Sequence, residues 1–338
     1  MSSKNKVKLL TVKPILSKDT IKDKEGDYFD ESHYTKHHKV ITTDTDVYGL
    51  EEDGTKKLLL KFRKNVIPQH ICSDAYNALE KHARHKNSNR GAAAGKLSLS
   101  KLPKHVGEII KQDKYRVFYK NKNGTVSRDN VSNIAQSNIA GYYDRPDRNN
   151  YNKKNKDKNK DKNKDKNKDK NKKYKTLTKK IPMCRTTQFT KKNVEKWQNT
   201  IPLIEYADKL FKQLVPDKHK LQLERANKTP KFQINKTAYS TITVNYNWRT
   251  ATHCDSGDLD EGFGNLIILE KSKSEVNGGD GFKGGFLGFP RWGICVDCRQ
   301  GDFLAMDVHE YHSNTAIIGD GRLSVVCYLR KKMIQCVN

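Results

Sequence analysis

Residues 240–258 read STITVNYNWRTATHCDSGD, and the fold turns on how this stretch is taken. Its first half is rich in Thr, Val, Ile, Tyr and Trp, which favour a pleated strand. Its second half leaves that pattern and carries His253 and Asp255. On an extended backbone residues i and i+2 point the same way, so an imidazole and a carboxylate can converge on one cation. The same two residues could equally be polar members of a turn. Downstream, short runs at 239–248, 263–270, 284–290, 293–299, 301–307, 311–318 and 322–331 are punctuated by Gly, Pro and Asp. Such a series predicts a sandwich or barrel of short strands.

Upstream the period changes. From Pro68, Ile71, Ala75, Leu79 and Ala83 recur every four residues, as one face of a helix does. A second helix is predicted with Thr200 as its cap and Pro202 in its first turn, carrying Leu203, Ala207, Leu210, Phe211 and Leu214 on one face and ending at Pro216. The small, Gly-rich NSNRGAAAGKL (87–97) predicts a loop or a close backbone approach, and YRVFYKNKNGTVSR (115–128) two strands about an Asn-Gly turn. The fold class is therefore α+β, a β-sandwich core braced by N-terminal helices. Residues 1–45 lack a sustained period and read as a poorly ordered basic arm. HYTKHH (33–38) lies within it and reads either as solvated histidines or as a metal-binding tract. Residues 46–338 read as a single domain.

One segment distorts the composition. Residues 151–175 hold 13 Lys and 4 Asp, +9 of the formal +27, which leaves +18 on the rest of the chain. The repeat, spanning about 150–176, has no apolar residue to bury, so it is expected to be a disordered insertion serving as a tether or a phosphate-binding arm. A chain this basic favours a polyanionic partner, of which nucleic acid is the commonest. The seven Cys form an odd set, and the start MSSKNKVKLL has no secretory apolar core. These point to an intracellular protein of a reducing compartment, nucleus or cytoplasm. No run approaches the length of a membrane span. Oligomeric state is not legible.

A third ligand could come from MDVHEYHSNTAI (306–317), which offers His309 and His312. Strand alternation sends these to opposite faces, so only one can serve. Two His and one carboxylate with open positions form the facial triad of non-haem Fe(II) oxygen chemistry. Arg322, ten residues after His312, is placed to hold a cosubstrate carboxylate in a planar fork.

The order His253-x-Asp255, His312, Arg322-x-Ser324 resembles the 2-oxoglutarate/Fe(II) dioxygenase superfamily, built on a double-stranded β-helix (jelly-roll, cupin-like) core. The surrounding NRGAAAG, SNIAGYYDR, CRTTQFT, VNYNWRTATHCDSGD, GFGNLIILE and GRLSVVCYLR resemble its TET/JBP-like branch, especially phage, large-DNA-virus and microbial members, so a viral protein in a host cell is among the expectations. The likeness runs from about Asn65 to Arg330, apart from the Lys-rich insertion. It implies Fe(II), 2-oxoglutarate and O2 as cofactor and cosubstrates, and a methylated pyrimidine in DNA as substrate, oxidised at its 5-methyl group to a hydroxymethyl base with release of succinate and CO2. By the same resemblance His253, Asp255 and His312 would bind iron, Arg322 and Ser324 the 2-oxoglutarate carboxylate, and Tyr328 would stack on a flipped base. The animal branch carries a His-Asn reader after its Asp; this chain has Ser256-Gly257-Asp258. The base, thymine or 5-methylcytosine, is thus left open, with a lean to thymine.

Further candidates are Asp258 as a base-edge contact, Arg249 as a phosphate contact or partner of a carboxylate such as Asp258, and Arg90 in the Gly-rich loop as a DNA or cosubstrate contact. The spacing to Arg322 favours His312 over His309, and Arg330 lacks the x-Ser partner of a clamp. Cys295-x-x-Cys298 is half a zinc site and reads as buried thiols. Cys254 is expected to pack away from its two neighbours. Two rival functions remain: a 2-oxoglutarate-dependent hydroxylase of a protein substrate, and a catalytically silent nucleic-acid-binding protein of the same fold.

Overall fold

The computed structural model describes residues 6–36, 40–127, 129–144, 184–271 and 281–336. The Lys/Asn/Asp repeat, His37 and His38 lie outside them, and with them what the sequence predicts there. In chain order the first part contains β1 (Lys8–Val12), α1 (Lys18–Asp23), α2 (Glu31–Thr35), β2 (Thr45–Leu50), β3 (Lys56–Arg63) and α3 (Gln69–Ala83). A two-stranded ribbon follows, β4 (Val106–Gln112) with β5 (Val117–Asn121), then β6 (Ser137–Asp144), β7 (Cys184–Thr186), α4 (Gln188–Lys192), α5 (Val194–Leu214) and α6 (Pro216–Ala226). The rest is strand: β8 (Thr241–Tyr246), β9 (Gly264–Glu270), β10 (Phe282–Gly284), β11 (Leu287–Phe289), β12 (Ile294–Val296), β13 (Phe303–Met306), β14 (Ser313–Asn314), β15 (Ile317–Gly319) and β16 (Arg322–Tyr328).

The major sheet has nine strands in the order β1-β2-β3-β13-β9-β16-β8-β6-β7. Opposite it stand the small sheets β12-β11-β14 and β10-β15. This is an α+β fold with a double-stranded β-helix core. The reason is visible in β9, whose side chains alternate between two apolar environments. Ile267 and Leu269 join the helix-side core with Leu79, Phe211 and Tyr239. Leu266 and Ile268 join the core between the sheets with Phe289, Trp292 and Ile294. Strand β16 alternates likewise, with Leu323, Val325 and Cys327 in the helix-side core. Its other face, Arg322, Ser324, Val326 and Tyr328, lines a cavity. Truncating a residue such as Phe211, fully buried in this core, to Ala would cost about 3–5 kcal/mol.

Four sequence expectations are revised. Residues 6–36 do not form an unordered arm: β1 extends the sheet by pairing with β2, and Val12, Ile21 and Tyr34 are buried. These three anchors are widely spaced and their partners lie far away in sequence, so no local period announces them. Second, the second helix begins at Val194, after Asn193, and contains Pro202 in its interior. The helix keeps its course there, and the Thr200 hydroxyl donates to the Lys196 carbonyl at 2.9 Å instead of capping. Third, β5 also pairs with β4 across a turn at 113–116, while beyond the expected Asn123-Gly124 turn the chain returns along β5 through isolated bridges, Val126 to Lys120 and Val131 to Val117, and not as a continuous strand. Fourth, Cys184 and Cys336 are joined as a disulfide with Cα atoms 6.1 Å apart, where free thiols are expected from an odd Cys count. Cys72, Cys254, Cys295, Cys298 and Cys327 are free. No described helix is long and apolar enough to cross a membrane.

Candidate active site

The cavity between the two sheets has a volume of about 550 Å3. Period-two alternation builds its floor: Thr243 and Asn245 of β8 face it while Ile242, Val244 and Tyr246 face the helices. At its inner end lie His253, Asp255 and His312, whose ligand atoms are all within 4.8 Å of one another. Among the described residues this is the single group of three or more such side chains able to hold a metal. His253 and Asp255 do not sit on β8 itself. They lie in the loop that follows it, and a backbone bridge to His312 supplies the extended geometry.

Each histidine is oriented by its own loop. Nδ1 of His253 is 2.7 Å from the Ala251 carbonyl, and Nδ1 of His312 is 2.9 Å from the Glu310 carbonyl. A carbonyl only accepts, so both Nδ1 atoms carry a proton, and each ring when neutral offers the lone pair of its Nε2. The Nε2 atoms face the two oxygens of Asp255, at 3.5 Å from His253 and 3.7 Å from His312. Burial disfavours the Asp255 carboxylate, but the hydrogen bond and charge of His253 outweigh it and hold the group at about 2. Burial, then the charge of His253, pushes His312 down to about 4. The donor set is therefore one anionic oxygen and two imidazole nitrogens, which fits a borderline divalent cation such as Fe(II). His309 is not in this group; its Nδ1 is 3.3 Å from Asp307.

In the same cavity Arg322 is 1% exposed. Its Nη2 donates to the Gly285 carbonyl at 3.1 Å, and its Nε has no partner among the described residues. Gly285 leaves room for it, since a Cβ there would lie 2.9 Å from Nε. Burial lowers the guanidinium to about 10, and the charges of Glu270 and Asp297 offset only part of it. An orphaned buried guanidinium N–H is what a cosubstrate carboxylate would satisfy. Ser324 accepts from Asn245 Nδ2 at 3.0 Å, which frees its own hydroxyl proton for the same carboxylate.

Tyr328, Asp258, Arg330 and Arg90 also line the cavity. The Thr243 hydroxyl is 3.2 Å from the Tyr328 oxygen. Burial, then the charge of Asp255, raises Asp258 well above the carboxylate range. Arg90 donates from Nε to the Ser137 carbonyl at 3.2 Å. Arg330 is ion-paired with Asp144.

Two predicted placements are corrected. Arg249 does not line the cavity: it donates to the Asn314 and Phe29 carbonyls at 3.1 and 2.9 Å and pairs with Asp30, not Asp258, at 2.8 Å. Its guanidinium fastens the N-terminal segment to the ligand loop. Cys254 is half-buried and does line the cavity, so it is not turned wholly into the packing. Cys295 and Cys298 are buried thiols as expected. Sequence reasoning missed Asn245, Arg330, Tyr115 and Arg116 as cavity residues. The polar beats Thr243 and Asn245 in an otherwise apolar strand were the available signal for the first. Nothing local marks the others.

Residues 174–331 match the family profile described as the oxygenase domain of the 2OGFeDO superfamily, Tet_JBP. Thymine dioxygenase JBP1 of Trypanosoma brucei brucei is 35% identical over 153 residues, 44% of this chain and 17% of that protein. The bifunctional helicase and thymine dioxygenase JBP2 of Leishmania major is 37% identical over 158 residues, 46% of this chain and 13% of that protein. The similarity thus spans less than a fifth of the length of these relatives. The solved structure of NgTET1 in complex with 5mC DNA aligns over 94% of this chain and 92% of that one, at 11% identity and a TM-score of 0.45.

Fold, donor set and profile together define an oxygenase domain of the 2-oxoglutarate/Fe(II) class, whose members use Fe(II), 2-oxoglutarate and O2. Within that class the chain is TET/JBP-like over residues 174–331.

Proposed function

We propose that this chain oxidises the 5-methyl group of a pyrimidine base in DNA, thymine in the first instance, to the hydroxymethyl base. The observation that carries the reading is one cavity holding both the His253-Asp255-His312 donor set and the partnerless Nε of Arg322. Iron bound there, with 2-oxoglutarate and O2, would supply the oxidation of a methyl C–H bond, the cosubstrate leaving as succinate and CO2. The protein's part is to hold and orient. His253, Asp255 and His312 hold the metal, and Arg322 with Ser324 binds the far carboxylate of 2-oxoglutarate.

The methyl group of a stacked base is out of reach, so the base must leave the duplex and enter the cavity, at a cost of a few kcal/mol. The Tyr328 ring is a stacking platform for it, and Asp258 faces its polar edge. Arg90 and Arg330 bring positive charge to the wall where DNA would enter. Thymine carries acceptors at O4 and O2, which suit the N–H groups of Arg330; 5-methylcytosine puts an amino donor at C4. The relatives named thymine dioxygenase support the same choice. The basic balance of the chain, +27, fits a polyanionic substrate better than a protein one.

Duplexes containing either thymine or 5-methylcytosine as the sole 5-methylpyrimidine, incubated with Fe(II), ascorbate and 2-oxoglutarate, test this by nucleoside mass spectrometry. 5-Hydroxymethyluracil is expected. 5-Hydroxymethylcytosine alone would reverse the base, and turnover of 2-oxoglutarate with neither product would remove DNA as the substrate.

A further inference from the structure

The ribbon β4–β5 is a sheet of its own, attached at one end to the cavity. Its turn, 113–116, is built by Asp113, whose carboxylate accepts from the backbone N–H groups of Tyr115 and Arg116 at 2.8 Å each. Tyr115 and Arg116 line the cavity mouth. The Tyr115 hydroxyl is tied to the Glu25 carbonyl at 3.0 Å. The Arg116 guanidinium lies against Gly91, where an added Cβ would meet Nη2 at 3.0 Å. The tip of the ribbon is thus fixed at the rim through which a base would pass. From there β4 runs about 20 Å at the usual rise of a strand.

The two faces of the ribbon differ. Val117 and Tyr119 turn inward and pack with Val131. Ile110, Phe118 and Val126 are 51%, 40% and 63% exposed. Phe118 lies opposite Lys111, and Val126 is bridged to Lys120. Five of the ten large apolar residues exposed among the described residues fall between Leu99 and Ile134. The same region is strongly basic: residues 96–127 contain eight Lys and Arg against Glu108 and Asp113, a balance of +6. Of these cations only Lys96 and Lys120 have a carboxylate within 4.0 Å among the described residues. Lys111, Lys114 and Lys122 are exposed.

Exposed apolar side chains ringed by uncompensated lysines suit a polyanion that also offers an apolar surface. Duplex DNA has both, phosphates along its backbone and sugar and base edges in its grooves. We infer that the ribbon 106–121 is the element by which the chain grips duplex DNA beside the extruded base. Its lysines meet phosphates, and Ile110, Phe118 and Val126 press against a groove. This rests on the reading of DNA as substrate.

The test uses the full chain and a fluorescein-labelled duplex, with anisotropy measured across a salt series. The triple variant K111Q/K114Q/K122Q should bind at least about tenfold more weakly at 0.1 M salt. Its log Kd against log salt slope should fall by up to about three. The double variant I110S/F118S should weaken binding with the slope unchanged. A control triple on the helices, K192Q/K212Q/K220Q, corrects for total charge. DNA-independent 2-oxoglutarate turnover and melting temperature should match wild type in all three. If the ribbon variants bind duplex as tightly as the control, the inference is wrong while the DNA reading stands. Failure of the wild-type chain itself to bind duplex, with 2-oxoglutarate turnover intact, sinks both.

Discussion

His253 and His312 exchange both of their backbone hydrogen bonds, His253 N–H to the His312 carbonyl at 3.1 Å and His312 N–H to the His253 carbonyl at 3.0 Å. The two imidazoles of the proposed metal site are thereby neighbours by main-chain pairing, with ring centroids 4.5 Å apart. Side-chain packing does not have to bring them together. His253→Ala, Asp255→Ala and His312→Ala should each leave the fold intact, as melting curves will tell, yet lose stoichiometric Fe(II) binding and all turnover. His309→Ala should retain both. An inactive His309→Ala beside an active His312→Ala would mean that the wrong histidine has been chosen.

Arg322→Lys keeps the charge and discards the planar fork. Nε, the atom without a partner, is then gone. The apparent KM for 2-oxoglutarate should rise at least about tenfold, with a smaller effect on kcat at saturation. An unchanged KM would put the cosubstrate elsewhere in the cavity.

Trp292 is fully buried, and its indole N–H donates to the Glu310 carboxylate at 2.8 Å. Glu310 also pairs with Lys57, and its carbonyl faces Nδ1 of His312. Trp292→Phe removes the donor and leaves most of the ring. Such outer partners of a ligand typically matter by 10–100-fold in metal affinity. A rise in the Fe(II) dissociation constant of about tenfold is expected, with little change in KM for 2-oxoglutarate measured at saturating iron. Wild-type affinity for iron would show that Lys57 and Arg291 hold Glu310 adequately without the indole.

Gly288 faces Tyr34, and a Cβ at Gly288 would run into the Tyr34 ring and hydroxyl. Tyr34 is fully buried, its hydroxyl 3.4 Å from Ser313 Oγ, next to the proposed ligand His312. Gly288→Ala should therefore lower the melting temperature by several degrees, the scale of overpacking. Tyr34→Phe, which keeps the ring, should cost less than Tyr34→Ala. Equal stability of Gly288→Ala and wild type would show that the N-terminal segment is not seated there.

How much of this was legible depended on whether a residue's partner lies near it in sequence. Strands β9, β13 and β16 were readable because each carries a short apolar run, LIIL, FLAM and VVCY, as strands buried on both faces do. The convergence of His253, Asp255 and His312 was legible because the first two stand two residues apart and Arg322 follows His312 by ten. Tyr34, by contrast, is buried by residues more than 250 positions away, and nothing around it repeats. Arg249 looked like a substrate contact because it stands beside the ligands; its true partners, Phe29 and Asp30, come from a segment read as unordered. Pro202 misplaced a helix start because proline's preference for a first turn was taken as a rule, whereas this helix tolerates it in the interior. The Cys184–Cys336 pair, 152 residues apart, has no spacing signature at all.

The order of strands in the major sheet bears on what could be lifted out of this protein. The family profile covers residues 174–331, yet β13 is paired on one side with β3, and β8 with β6, both from outside that region. A fragment cut to the shared portion would expose two raw sheet edges and uncover the face on which α3 lies. The stretch that matches the profile is thus smaller than the sheet on which it depends. Grafting this chemistry onto another scaffold would require transplanting the flanking strands too, or supplying substitutes for them.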